Sequence, residues 1–316
     1  MLGFTEEVFL VLIVIEFILG NLVNSFIGLV NGSHWFKSKK MSLSDFIITV
    51  LALFRIFLLW IIFIDGLIIV FSYHTHDSGI TMQLIDALWT FTNHFSIWLI
   101  SCLGVFYCLK IASFSHPTFL WLKWRASRVV VGMLWGALLL SCICTVSLMN
   151  EFQIYSVLSG SRGTSNVTEY FRLKTREYNL MHVLGNLWKL PPLIVSLAAY
   201  FLLLLSLGKH TQQMQQYSIS SRDQSTEAHR RAMRIIFSFL FLFLIYFLCF
   251  LVLSFSRFLP ATKIARIIGV VIAMSYFAGD SFILILCNNK LKRTFVSMLP
   301  HECGHLKPGS KGPFAP

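Results

Sequence analysis

The residues best placed to do chemistry lie in one apolar stretch, Gln83 to Arg125, where Asp86, Trp89 and Asn93 recur at i, i+3 and i+7. On a helix that spacing puts all three on one side. Tryptophan offers a broad apolar surface with one donor, and asparagine adds two donors and an acceptor, a combination suited to a small amphipathic ligand. His94 joins them as a fourth candidate. The plainer reading makes Trp89 an interfacial aromatic and Asn93 a tie between helices. At the far end of the stretch Tyr107 and Lys110 lead into Phe119, Trp121, Lys123, Trp124 and Arg125. Aromatic and basic side chains so mixed suit a layer of membrane lipid headgroups or a protein partner.

Other ionisable residues stand in apolar surroundings. Arg55 lies about three turns into its span, so it either finds an anion, carbonyl or water inside or snorkels back to the interface. Asp280, between Gly279 and Ser281, is a functional candidate because of its depth. Glu16 either points inward or is protonated, in a packing or a ligand role. His301-Glu302-Cys303-Gly304-His305 matches the H-E-x-x-H zinc pattern, but it follows Pro300, contains Gly304 and enters a Gly/Pro/Lys tail. Such a segment cannot hold both histidines on one helix face in a dry site, so no metal, no cofactor and no catalysis are expected.

The elements that must position these residues are set by composition. With 56% apolar residues, 13% charged and a mean hydropathy of +0.72, the chain is too hydrophobic for an ordinary soluble domain. An all-α, multi-pass membrane protein is expected, with seven spans near 7–30, 45–70, 82–109, 128–149, 181–207, 232–256 and 264–286. The net charge of +12 does not signal nucleic acid, because its basic residues fall in short loops between spans. Alternate loops carry 17 Lys and Arg on one side against seven on the other, which places the N-terminus outside and the C-terminus in the cytosol. Residues 1–299 form the bundle with a membrane-surface helix over 288–299, and 300–316 a disordered tail.

Finer features follow from the same layout. Ser44-Asp45 reads as the N-cap and first-turn acid of the second span. Pro191-Pro192 should kink the fifth span and free carbonyls, and the Gln-rich, basic segment 208–231 reads as a mobile loop. Gly132 and Gly136 have the spacing of close helix packing, inside the bundle or in a homo- or hetero-oligomer. The seven cysteines fall in spans or on the cytosolic side, with none placed for an outer-loop disulfide. Of two glycosylation sequons, at Asn31 and Asn166, only Asn166 faces outward.

Several short stretches together resemble the bitter taste receptors, the type 2 taste receptor family of G-protein-coupled receptors. They are Asn24, Leu51-Ala-Leu-Phe-Arg55, Phe106-Tyr-Cys-Leu-Lys-Ile-Ala112, Phe119-Leu-Trp-Leu-Lys123, Leu193-Ile-Val-Ser-Leu197, His229-Arg-Arg-Ala232, Ser238-Phe239-Leu240, Ser281-Phe-Ile-Leu-Ile-Leu286 and Lys290-Leu291. The resemblance implies a plasma-membrane receptor that binds bitter agonists among helices three, five, six and seven. Trp89 and Asn93 match the family's third-helix ligand positions and Tyr246 its sixth-helix aromatic. It further implies coupling to a gustducin-type G-protein α subunit through Tyr107, Lys110, Lys123, His229 and Arg230. Arg55 and Asp280 then come to similar depth on helices two and seven, forming with Asn24 and Ser281 a polar switch network. The chain departs from the family at Asp280, where histidine is usual, and at Phe277, where a proline is usual nearby. The rival reading, a small secondary transporter using Glu16, Arg55, Asp86 and Asp280, would call for internal repeats, and no repeated half is visible.

Overall fold

The computed structural model describes residues 4–71, 80–160, 187–217, 238, 240–248, 251 and 262–298, and every element among them is helical. In chain order these are α1 (Phe4–Ser38), α2 (Leu43–Phe71), α3 (Ile80–Ile111), α4 (Pro117–Trp124), α5 (Ala126–Gly160), α6 (Leu190–Tyr217), the helical residues 240–248, α7 (Thr262–Cys287) and α8 (Asn289–Met298). Five helices hold runs long and apolar enough to cross a membrane: Glu6–Ser38, Leu43–Phe71, Leu84–Ile111, Ala126–Met149 and Arg266–Cys287. The shorter apolar run Leu190–Ser206 and the 240–248 residues lie where the fifth and sixth spans are expected.

Local chemistry sets the boundaries. Glu6 and Glu7 in the first turn of α1 and Lys37 in its last complement the helix dipole. The cap of α2 is Ser42 rather than Ser44: its hydroxyl accepts the Asp45 N–H at 3.1 Å and its carbonyl the Phe46 N–H at 2.9 Å. Pro117 opens α4, a short helix unforeseen in the loop after α3, because proline at the first helical position loses no hydrogen bond. Asn288 caps α8, its Oδ1 accepting the N–H groups of Lys290 at 3.0 Å and Leu291 at 3.4 Å.

Two expectations are corrected. The fourth span ends at Met149 as expected, with α5 continuing beyond it to Gly160, but α6 continues through the glutamines to Tyr217, so the start of the expected mobile loop is helix. Glutamine is a good helix former, and its polarity alone does not end a helix. The proline pair does not kink a continuous helix. Leu187 is helical, Trp188 and Lys189 form a turn, and α6 restarts at Leu190 with both prolines in its first turn.

Helix α3 is the axis of the bundle. Of its apolar run 72% is buried, against 22% for α1 and 17% for α5, so those two form the rim. α3 packs on α2, α5 and α6, while α1 packs on α2 and α7. The rim exposes Leu22, Leu29, Leu139 and Ile143, an apolar exterior suited to lipid. One core cluster gathers Ile48, Leu51, Leu99, Leu103 and Leu284; a second gathers Ile13, Leu58, Leu59, Met274 and Phe277. The register of α2 and α7 puts Arg55 and Asp280 between the two.

Candidate ligand site and polar core

The face expected on α3 is partly assembled as foreseen. Asn93 is fully buried, and its Oδ1 accepts the Tyr246 hydroxyl at 2.9 Å. Trp89, half-buried one turn away, meets the edge of Phe277 at 6.5 Å between ring centroids. Asp86, also half-buried, lies a further turn along. Tyr246 stacks on Tyr276, with centroids 4.3 Å apart and planes 16° apart, and tilts against Phe277 at 5.7 Å. The result is an aromatic wall drawn from three parts of the chain, with one amide set into it. Asn93 Nδ2 is buried and has no hydrogen-bond partner among the described residues.

His94 does not belong to that face. Its Nδ1 lies 2.8 Å from the Ser141 hydroxyl of α5 and its Nε2 3.2 Å from the Trp188 carbonyl in the turn before α6. Successive helix residues diverge by about 100°, from about 3.6 residues per turn, so His94 cannot share the Asn93 direction. It ties three elements together instead. The carbonyl it reaches is one released by the break before Pro191. Pro192 is used similarly: its carbonyl accepts the Ser101 hydroxyl at 2.9 Å, with Ser196 Oγ 2.7 Å from Ser101 Oγ.

The structure brings Asn24, Arg55, Asp280 and Ser281 into one network. Arg55 is fully buried, which excludes snorkelling, and its guanidinium contacts the Asp280 carboxylate through Nη2. Nη1 donates to Ser281 Oγ at 2.7 Å, and Ser281 Oγ lies 2.8 Å from both Asn24 Oδ1 and the Phe277 carbonyl. Asn24 Nδ2 in turn donates to the Gly20 carbonyl at 2.8 Å. Gly20 lets α1 come this close: a Cβ there would lie 2.7 Å from Leu59 Cδ1. Glu16 points toward α7, where its carboxylate accepts the Ser275 hydroxyl.

The residues expected to meet a G protein divide. Tyr107 is half-buried and packs against the core, while Lys110 is exposed beside the Phe106 ring, 5.5 Å from its centroid. Lys123 is not a free charge, because its Nζ donates to the Ala112 carbonyl at 2.7 Å and fixes the turn between α3 and α4. Arg125 covers the Trp121 ring at 4.9 Å, and Trp124 is 94% exposed. At the same end, Asp45 receives Asn288 Nδ2 and Lys290 Nζ, each at 3.2 Å, joining α2 to the start of α8. Cys287 is half-buried and packs against the core beside that joint. His229, Arg230 and Asn166 lie outside the described residues.

Sequence reasoning did not single out Tyr276, or Ser101 and Ser196. Each is one polar residue in an apolar run, and only the meeting of helices distant in sequence gives it meaning.

Comparison with known proteins fits this architecture. The family model described as taste receptor protein (TAS2R) matches residues 1–303. The chain is 81% identical over 315 residues to taste receptor type 2 member 3 of Mus musculus and 82% identical over 315 residues to that of Rattus norvegicus, in each case covering 100% of both chains. To the Homo sapiens protein of that name it is 69% identical over 313 residues, 99% of each chain.

Proposed function

This chain belongs to the taste receptor type 2 family, the bitter taste receptors that work as G-protein-coupled, multi-pass membrane proteins, and from that premise we propose that it binds small amphipathic bitter compounds at Trp89, Asn93 and Tyr246. Asn93 carries the reading. It is a fully buried amide with one group held by Tyr246 and the other without a partner among the described residues, inside an aromatic wall. A ligand acceptor reaching Nδ2 would satisfy a buried donor without breaking an existing bond, while the rings supply apolar contact. Asp86, one helical turn from Trp89 on the same side of α3, is the charged group that spacing places nearest to a polar substituent.

In this reading the N-terminus is outside and the end of the bundle bearing α4 and α8 faces the cytosol, where it receives a gustducin-type α subunit. Lys110, exposed there, supplies charge, and Tyr107 and Lys123 shape the floor. His229 and Arg230 join them, and Asn166 carries the glycan. The aromatic and basic residues of α4 meet the lipid headgroups. The transporter reading, which drew on Glu16, Arg55, Asp86 and Asp280, gives way to membership of a receptor family.

The test expresses the receptor with a promiscuous G protein and reads calcium against a panel of bitter compounds. Trp89→Ala and Asn93→Ala should each weaken the response about threefold or more while surface expression stays near wild type, since an aromatic contact is worth about 0.5–1.5 kcal/mol and a buried hydrogen bond left unmade costs about 1–3 kcal/mol. Loss of expression in parallel with response would assign both residues to packing instead.

A further inference from the structure

Three buried polar groups between the ligand site and the ion pair have no hydrogen-bond partner among the described residues: Asn93 Nδ2, the Tyr276 hydroxyl and Arg55 Nε. Contacts already described link Tyr276 to Asn93, and the register of α7 links it to the Arg55–Asp280 pair. Tyr276, only 4% exposed, stacks at 4.3 Å on Tyr246, which holds Asn93 at 2.9 Å. One turn further along α7, at i+4 from Tyr276, Asp280 holds Arg55. Residues at that spacing share a helix face, so Tyr276 stands between the two sites. Phenylalanine would make the same ring stack without burying an unpaired hydroxyl, so packing alone does not account for tyrosine here.

We propose that Tyr276 is the positioning residue that couples the ligand site to the Arg55–Asp280 pair, its hydroxyl accepting the Arg55 Nε–H in the signalling arrangement. The proposal rests on Trp89, Asn93 and Tyr246 being the ligand face. A ligand that displaces Tyr246 moves the stacked Tyr276 with it, because close-packed rings shift between discrete arrangements and do not deform continuously. The state described here leaves the hydroxyl and Nε without a partner among the described residues, and the other pairs them. Two such states are what a coupling between sites requires.

Tyr276→Phe keeps the ring and removes only the hydroxyl; Arg55→Lys keeps a positive charge toward Asp280 and removes Nε. Both, and the double variant, are read as maximal calcium response per surface receptor and as half-maximal concentration, using the panel compound that gives the largest wild-type response. Tyr276→Phe is expected to lower the maximum at least threefold, with surface expression and half-maximal concentration within twofold of wild type. The double variant should signal no worse than Arg55→Lys alone. An unchanged maximum in Tyr276→Phe, or losses that multiply in the double variant, overturns the coupling. Should Arg55→Lys not reach the surface, the split between maximum and half-maximal concentration in Tyr276→Phe decides alone. An unchanged half-maximal concentration in Trp89→Ala would overturn the ligand face, which is a separate result.

Discussion

Arg55 depends on α7 for its charge partner and for its serine, and removing the Asp280 carboxylate leaves an uncompensated charge in a buried place. Breaking one side of such a pair typically costs about 3–5 kcal/mol, enough to deplete folded receptor. Asp280→Ala should therefore lower surface expression sharply. Asp280→His, the residue usual in the family, should be milder. In a double-mutant cycle with Arg55→Ala scored on surface expression, the double loss should fall well short of the sum, and strict additivity would show that the pair does not interact. Arg55 and Asp280 were legible in the sequence because an ionisable group in an apolar run has few physical options, whereas Asn24 and Ser281 entered only through the family resemblance. Tyr276 was not legible, since a tyrosine is at home in almost any such run. His94 differs for another reason: it is adjacent to Asn93 along the chain but not on a face, because a helix turns neighbours apart.

At the scale of the element, glycine separates the helices that touch from those that do not. A Cβ at Gly20 collides with Leu59, whereas Gly132 and Gly136 of α5 have nothing within 4 Å. Their spacing in sequence suggested close packing, and the structure shows that the described bundle does not use it. Gly20→Val should overpack the α1–α2 seam, at about 1–3 kcal/mol, and reduce surface expression. Gly132→Val and Gly136→Val should leave expression intact, and resonance energy transfer between tagged copies then reports whether that face meets a second receptor. Long apolar runs made the helices legible, because few other structures satisfy a backbone in lipid. Their ends were less so: Ser42 rather than Ser44 caps α2, Pro117 opens α4 where loop was expected, and glutamines carry α6 on to Tyr217, all decided by local chemistry that the hydrophobic pattern does not show.

For the whole molecule, orientation is the property most open to a simple measurement. Asn31 is 1% exposed and donates through Nδ2 to Thr49 at 3.0 Å, so it cannot carry a glycan in the folded chain. Asn166→Gln should increase gel mobility and Asn31→Gln should not; the reverse would invert the topology. The network at the centre of the bundle also bears on how the chain is made. Arg55 and Ser281 are 226 residues apart, so at about 5–20 residues per second the ribosome takes roughly 11 to 45 seconds to deliver the second after the first. Throughout that interval the second helix holds a cation in or beside the bilayer whose counter-charge has not been synthesised. The delay is built into the order of the gene. A chain stopped before Thr262 should stay in the endoplasmic reticulum with only immature, endoglycosidase-sensitive sugars, which makes the yield of this receptor at the cell surface a question of timing as well as of stability.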